Sequence, residues 1–483
     1  MVFSSTIFLF SFLPFVLFFY MLAGHRLRNV VLLGASLFFY AWGENIYVLV
    51  MLSSILGNYI FGLLINRAMG KGRRGRRELF FGVGLNLLLL GFFKYANFIM
   101  ANINALLIRF HVSPLDLPAV HLPIGISFFT FQAMSYLVDL YRHEVGVEKN
   151  PLDLALYISL FPQLIAGPIV RYHDIARSLH ERSATVADVA AGIRRFIIGL
   201  GKKVLIANVL GRAADYLFSV PPVRLPSTLA WLGALAYTLQ IYYDFSGYSD
   251  MAIGLGRIFG FHFPENFNYP YISRSIREFW RRWHISLSTW FRDYLYFPLG
   301  GSRTTVTRTY FNLLVVFVLC GLWHGANWTF VCWGLYHGLF LILERTKLGR
   351  SLARLPIVLQ HGYAMLVVII GWVFFRAEDF SHALEYLKAM FTLGRPTLFN
   401  SQIFLNLNNE FFVTLIIGLV GMAPFMSTQL KQISVLSGGE IRWKWPGARL
   451  LASGELFFWG AVLLYSVASI MGGSYNPFLY FRF

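Results

Sequence analysis

Charge is scarce in this chain. Only 13% of its 483 residues are Asp, Glu, Lys or Arg, about half the share of a soluble globular chain. A soluble body is therefore excluded. Cysteine is scarcer: Cys320 and Cys332 are the only two, both in one apolar run. On a continuous helix they would stand about 18 Å apart, too far to bridge, which excludes a disulfide framework and a cysteine zinc site. There is no HExxH, no P-loop and no GxSxG elbow, so zincin, phosphate-cradling and α/β-hydrolase chemistry have no carrier. Sustained repeats, low-complexity tracts and the ~10-residue alternation of a membrane β-barrel are also absent.

What is present is apolar surface. Hydrophobic residues make up 57% and aromatics 18%, with a mean hydropathy of +0.58. Apolar runs recur from 6–23 through 456–471, many near the ~20 residues a crossing helix needs. This pattern defines an all-α polytopic membrane protein, a single integral-membrane domain over 1–483, with the lipid bilayer as its first partner. The net charge of +18 sits in short loops between those runs, KGRRGRR at 71–77 being the plainest. That is the positive-inside distribution of cytoplasmic loops, and it argues against nucleic acid.

The first apolar run lacks a basic leader and a cleavage site, so it reads as a retained helix. If the basic loops at 25–28 and 71–77 share one side, residues 29–69 must go out and back, turning at 43–45. Lys94, near the end of a span over 79–100, reads as a snorkelling lysine. Residues 161–169, FPQLIAGPI, break an apolar run with Pro162, Gly167 and Pro168. Such breaks survive at membrane depth only inside protein or beside a cavity, which predicts a broken or re-entrant helix. Residues 192–204, with Arg194, Arg195, Lys202 and Lys203, suit an interface-lying or cytoplasmic helix. The basic link at 424–454 reads as cytoplasmic, and the aromatic tail suits an interface or a docking groove.

Residues 274–345 hold the chemistry. Ile276, Trp280, Trp283, Leu287, Trp290, Tyr294 and Phe297 recur at alternating spacings of four and three, one stripe of a helix. Arg277, Arg281, His284 and Ser288 form the adjoining stripe. This arm either lies on the cytoplasmic surface or dips along a protein-lined cavity, carrying His284 with it. His324 lies deep in the apolar run 310–343, which is one bent crossing or two short ones, and Gly321 and Gly325 flank it. A titratable residue at membrane depth marks function by default. On a continuous helix His337 does not share its face. Asp244 and Asp250 flank a Ser-Gly-Tyr-Ser turn between apolar helices. They either cap helix ends or contact a polar substrate.

Two histidines without nearby carboxylates make a poor metal site. An imidazole held away from water is neutral and can accept a proton, and a second donor such as His284 would steady the oxyanion of an acyl transfer. On residues alone, acyl transfer competes with transport of a polymer or lipid-linked sugar, or with a structural role in a secretion complex.

EFWRRWHISLSTW at 278–290 and GLWHGAN at 321–327 resemble the signature of the membrane-bound O-acyltransferases. LPIGISF at 122–128, LIAGP at 164–168, DFSGYSDMAIGLG at 244–256 and the PFLYF ending resemble the bacterial branch that O-acetylates exopolysaccharides such as alginate or cellulose. The resemblance implies a bundle of about eleven crossings, at ~20 residues each, with re-entrant and amphipathic segments around a central tunnel in the bacterial inner membrane. It makes His324 the catalytic histidine and His284 the second motif position. It also implies acetyl-CoA as a cytoplasmic acetyl donor, with no bound cofactor or metal. Periplasmic acetyltransferase or acceptor proteins of a polysaccharide-modification complex are the partners it implies. Trp280, Arg281, Arg282, Trp283, Trp323, Asn327, Asp244 and Asp250 are the candidate donor- and substrate-binding residues.

Overall fold

The computed structural model describes residues 1–394, 401–424, 446–473 and 475–477, and these are all-helical. Residues 425–445 of the basic link and the tail beyond 477 lie outside the described residues. The N-terminal part runs through α1 (Leu13–Leu22), α2 (Arg28–Glu44), α3 (Val48–Gly70), α4 (Arg76–Arg109) and α5 (Ile126–Tyr141). The middle holds α6 (Pro151–Ser159), α7 (Phe161–Leu164), α8 (Tyr172–His180), α9 (Val186–Gly201), α10 (Asn208–Ser219) and α11 (Ser227–Ile258). Then come α12 (Ile276–Arg282), α13 (Ile285–Phe291), α14 (Val306–His324), α15 (Trp328–Leu343), α16 (Lys347–Leu352) and α17 (Ile357–Arg376). The last are α18 (Phe380–Phe391), α19 (Ser401–Asn406), α20 (Asn409–Gly421) and α21 (Pro446–Met471).

Five stretches among the described residues are long and apolar enough to cross a membrane: Arg28–Gly70, Arg76–Arg109, Val306–His324, Ile357–Arg376 and Gly454–Met471. The first is not one rod. Its backbone breaks at Asn45, which has a left-handed φ of +48°, and α2 and α3 are separate helices on either side of the expected turn.

The proline break falls where the sequence puts it. Pro162 has no N–H to continue α6, which stops at Ser159, and the chain restarts as the one-turn α7. The freed amide of Phe161 donates to Ser36 Oγ at 3.1 Å. Residues 161–170 are all buried, so irregular backbone at this depth is enclosed by protein, as it must be.

Three expectations are overturned here. No turn separates Asp244 from Asp250, because both lie within the continuous helix α11. The small residues between them serve packing instead. A Cβ at Gly247 would stand 2.8 Å from the Gly199 carbonyl, and one at Gly192 would stand 2.6 Å from the Gly254 carbonyl. Helices α9 and α11 thus touch backbone to backbone through paired glycines, the small-residue contact of membrane bundles. For the same reason three of the four basic residues at 192–204 are turned toward α11, while Arg194 stays exposed. Arg195 and Lys202 pair with Asp250 at 2.6 and 2.7 Å, and Lys203 pairs with Asp244 at 2.7 Å with both side chains buried. Lys203 also donates to the Pro477 carbonyl, so the described part of the tail is docked against the bundle.

The third correction concerns the arm. It is two helices, α12 and α13, broken at Trp283–His284, and His284 has a left-handed φ of +44°. A non-glycine residue held there is uncommon and strained. The loop 266–268 secures the break. Asn268 N–H donates to the Arg282 carbonyl at 2.9 Å, and Ile285 N–H to the Asn266 carbonyl at 3.0 Å.

Candidate active site

The run 310–343 resolves into a hairpin. α14 ends at His324, Gly325–Ala326 turns the chain, and Asn327 starts α15 by accepting from Thr329 N–H at 3.0 Å. Glycine makes the hairpin tight: a Cβ at Gly321 would collide with the Phe330 carbonyl, and one at Gly334 with the Phe317 carbonyl. Cys320 and Cys332 consequently lie on different helices and are free thiols. The hairpin also undoes the helical-wheel separation of His337 from His324. The Trp333 ring lies 5.2 Å from His324 and 5.0 Å from His337.

His324 is walled by aromatic edges: Trp323 at 4.9 Å, Trp333 at 5.2 Å and Phe375 at 5.2 Å between centroids. His284 reaches the same place from the broken arm, its ring centroid 6.3 Å from that of His324. Both imidazoles are buried. Sequence separation of forty residues becomes ring contact because the left-handed turn at His284 rotates it off the arginine stripe and inward. Arg277 and Arg281 stay exposed.

The tautomer of His284 follows from its partner. Asn266 Oδ1 accepts from Ser286 Oγ at 2.9 Å and from the Ser286 backbone N–H at 3.3 Å. That amide can only donate, so the atom facing it is oxygen. His284 Nδ1, 3.1 Å from the same oxygen, therefore carries the proton. Its Nε2 is then a bare acceptor, buried and without a partner among the described residues. His284 in this state takes a proton and cannot donate to an oxyanion, contrary to the role expected of it. His324 Nδ1 is likewise buried and unpartnered.

Lys94 was read as snorkelling, and it is not. Helix α4 continues to Arg109, so Lys94 sits mid-helix, about 22 Å by helical rise from that end. It is buried. Its ammonium donates to the Trp323 carbonyl, to the His324 carbonyl at 3.4 Å and to Ser127 Oγ at 3.2 Å. An ammonium taken out of water is costly unless it is hydrogen-bonded. Hydrogen bonds from a charged donor each return about 1.5–3 kcal/mol, so these contacts offset the cost. Lys94, Ser127, Trp323 and His324 line a cavity of about 120 Å³ together with residues 122–126, Phe128 and Ile165.

The remaining candidates divide. Trp323 belongs to the pair's wall. Trp280 packs against Trp333 at 5.6 Å and His337 at 5.3 Å, and Trp283 against Phe267 and Trp372. Both lie behind the pair. Arg281 is exposed, and Arg282 is taken up by Glu278 at 2.9 Å. Asn327 is a helix cap that also donates to the Glu378 carbonyl at 3.1 Å. Asp244 and Asp250 are held in the α9–α11 ion pairs. Among the described residues no third His, Cys, Asp or Glu joins the histidine pair at ligating distance. Sequence reasoning missed Asn266, gave Ser127 no role although it lies in the LPIGISF motif, and misread Lys94.

The site is thus a close pair of buried histidines walled by tryptophan, on a broken arm and a helix end inside a helical membrane bundle. Residues 32–354 match the membrane-bound O-acyltransferase family, MBOAT, and the chain belongs to that family. It is 43% identical to the probable alginate O-acetylase AlgI of Pseudomonas putida, with both proteins covered in full. It is 49% identical to the protein of that name from Pseudomonas aeruginosa over 82% of this chain and 75% of the relative. The peptidoglycan O-acetyltransferase of Helicobacter pylori is 37% identical over 82% of this chain and 81% of the relative.

Proposed function

We propose that this protein carries acetyl groups from a cytoplasmic acetyl thioester, acetyl-CoA, to hydroxyls of an exported polysaccharide, acting in the bacterial inner membrane. The observation that carries the reading is the buried His284–His324 pair. His324 takes the proton of an incoming hydroxyl, whose oxygen attacks the thioester carbonyl. His284, its Nε2 bare, is the second acceptor beside it. The full-length relatives are named for alginate, which favours an alginate-type acceptor over a cellulose-type one. Periplasmic acetyltransferase or acceptor proteins would receive the group outside. The same reading takes the helices as about eleven crossings, at ~20 residues each, around a tunnel, and the enclosed break at 161–170 supports it.

Depth supports it too. His324 lies 18 residues from the start of α14, and Lys94 lies 18 from the start of α4, both about 27 Å by helical rise. Each helix starts beside basic residues, so the site lies toward the far side of a ~30 Å hydrocarbon layer. That is where an exported acceptor arrives.

The test is the acetyl content of secreted polysaccharide from cells making wild type, His324→Ala or His284→Ala at matched levels. Both substitutions should abolish acetylation while polymer yield holds. Acetylation that survives His324→Ala would refute the reading, and lost export would favour a transporter.

A further inference from the structure

With His284 unable to donate, the acyl carbonyl oxygen needs another partner. We propose that Lys94 and Ser127 form that partner, an oxyanion site in the 120 Å³ cavity beside His324. The inference rests on the acyl-transfer reading and adds the residues that bear the developing charge. Three observations converge on it.

The first is the direction of the Lys94–Ser127 hydrogen bond, 3.2 Å long. An ammonium only donates, so Ser127 Oγ accepts. Its own O–H is left to donate, and no acceptor among the described residues takes it. The second is charge. Lys94 is buried and lines the cavity with His324, where a protonated amine acts with little screening. Two of its N–H groups go to the carbonyls that end α14, and the third goes to Ser127. The third is the backbone. The 16-residue helix α5 begins at Ile126, and its first turn lines the cavity, the end of a helix that favours negative charge.

The cavity also limits the acyl group. It is smaller than the ~150 Å³ void that takes benzene, and Leu122, Pro123, Ile124, Ile126, Phe128 and Ile165 wall it. A two- or three-carbon acyl group fits within it.

The step balances as follows. The acceptor hydroxyl gives its proton to His324 while its oxygen bonds to the thioester carbonyl carbon. The carbonyl π pair moves onto oxygen, which Ser127 O–H holds, with the Lys94 charge behind that hydroxyl. That pair returns, the carbon–sulfur bond breaks, and the thiolate takes the proton from the imidazolium of His324.

The experiment measures acetyl transfer from a radiolabelled acetyl thioester by the purified full chain in lipid nanodiscs, for wild type, His324→Ala, Ser127→Ala and Lys94→Met. Ser127→Ala should lower kcat about 10²–10³-fold, the effect of losing one oxyanion donor, with KM and unfolding temperature unchanged. Lys94→Met should lose at least as much kcat and some stability. If Ser127→Ala stays within about twofold of wild type, against the loss expected of a donor, the oxyanion site is refuted. Lys94 is then a cap of α14 whatever Lys94→Met does. Equal transfer by wild type and His324→Ala would instead remove the acyl-transfer reading, and this site with it.

Discussion

A single acceptor atom, Asn266 Oδ1, decides what His284 can do. It fixes the imidazole tautomer from a loop, while Asn266 Nδ2 donates to Ser249 Oγ on α11 at 3.0 Å. Asn266→Ala removes the acceptor and frees the ring, so acetylation should fall about 10²-fold, the lower end of what a positioned acid–base group contributes. Asn266→Asp keeps an oxygen facing Nδ1 and should retain most of that activity. Equal losses in the two variants, read as acetyl content at matched protein levels, would reduce Asn266 to loop packing. Nothing in the sequence singles it out: Pro264 and Pro270 mark a loop, but their spacing does not say which loop side chain turns inward. His324 was legible for the opposite reason, because a titratable group among apolar neighbours is expensive wherever it points. Lys94 carried the same signal. It was discounted because the true end of α4, nine residues past the expected one, could not be read from an apolar pattern that fades gradually.

At the scale of elements, hydrophobic runs fixed where helices lie but not where they stop being straight. Periodicity gave the arm one apolar stripe, yet the arm breaks at His284. Tertiary bonds to 266–268 offset the strain there, and no local pattern records them. Beyond the break a side-chain network moors the arm. Tyr294 O–H donates to Asp139 Oδ1 at 2.5 Å, Asp139 Oδ2 lies 2.8 Å from His173 Nδ1, and Arg171 meets Asp293 at 2.9 Å. The hydrogen bond to Asp139, then that to Asp174, raises the His173 pKa from 6.5 to about 9. A pKa raised on folding contributes stability that is complete below 6.5 and disappears as pH climbs through the folded value. The unfolding temperature of the purified protein should therefore fall between pH 6.5 and about 9, the window set by that shift. His173→Gln should flatten the fall. An unchanged slope in that variant would assign the pH dependence to other groups.

For the molecule as a whole, the membrane class was legible in hydropathy and charge placement, whereas the partners of each charge were not. Asp244, Asp250, Arg195, Lys202 and Lys203 read as caps and surface residues because one-dimensional spacing is blind to the glycine-to-glycine approach of α9 and α11. That approach brings the two sets within 2.6–2.7 Å. Sidedness is open to direct measurement. Positive-inside placement puts the loop at 71–75 in the cytoplasm. Helix α4 then carries the chain away from it, and the segment at 112–121 folds back along its far end, where Asn97 Nδ2 and Asn104 Nδ2 donate to the Val120 and Leu115 carbonyls at 2.7 and 3.0 Å. Arg74 and Ser113 are both exposed, so single cysteines there report one face each. In intact cells a membrane-impermeant maleimide should label Ser113→Cys and leave Arg74→Cys untouched until the membrane is opened. The cavity beside His324 is lined by residues 122–128, directly after the outer segment, so outside labelling at Ser113→Cys would set the site at the face where a polymer acceptor arrives. Labelling of Arg74→Cys alone would invert the molecule and place the same cavity toward the cytoplasm, where an exported polysaccharide cannot reach it.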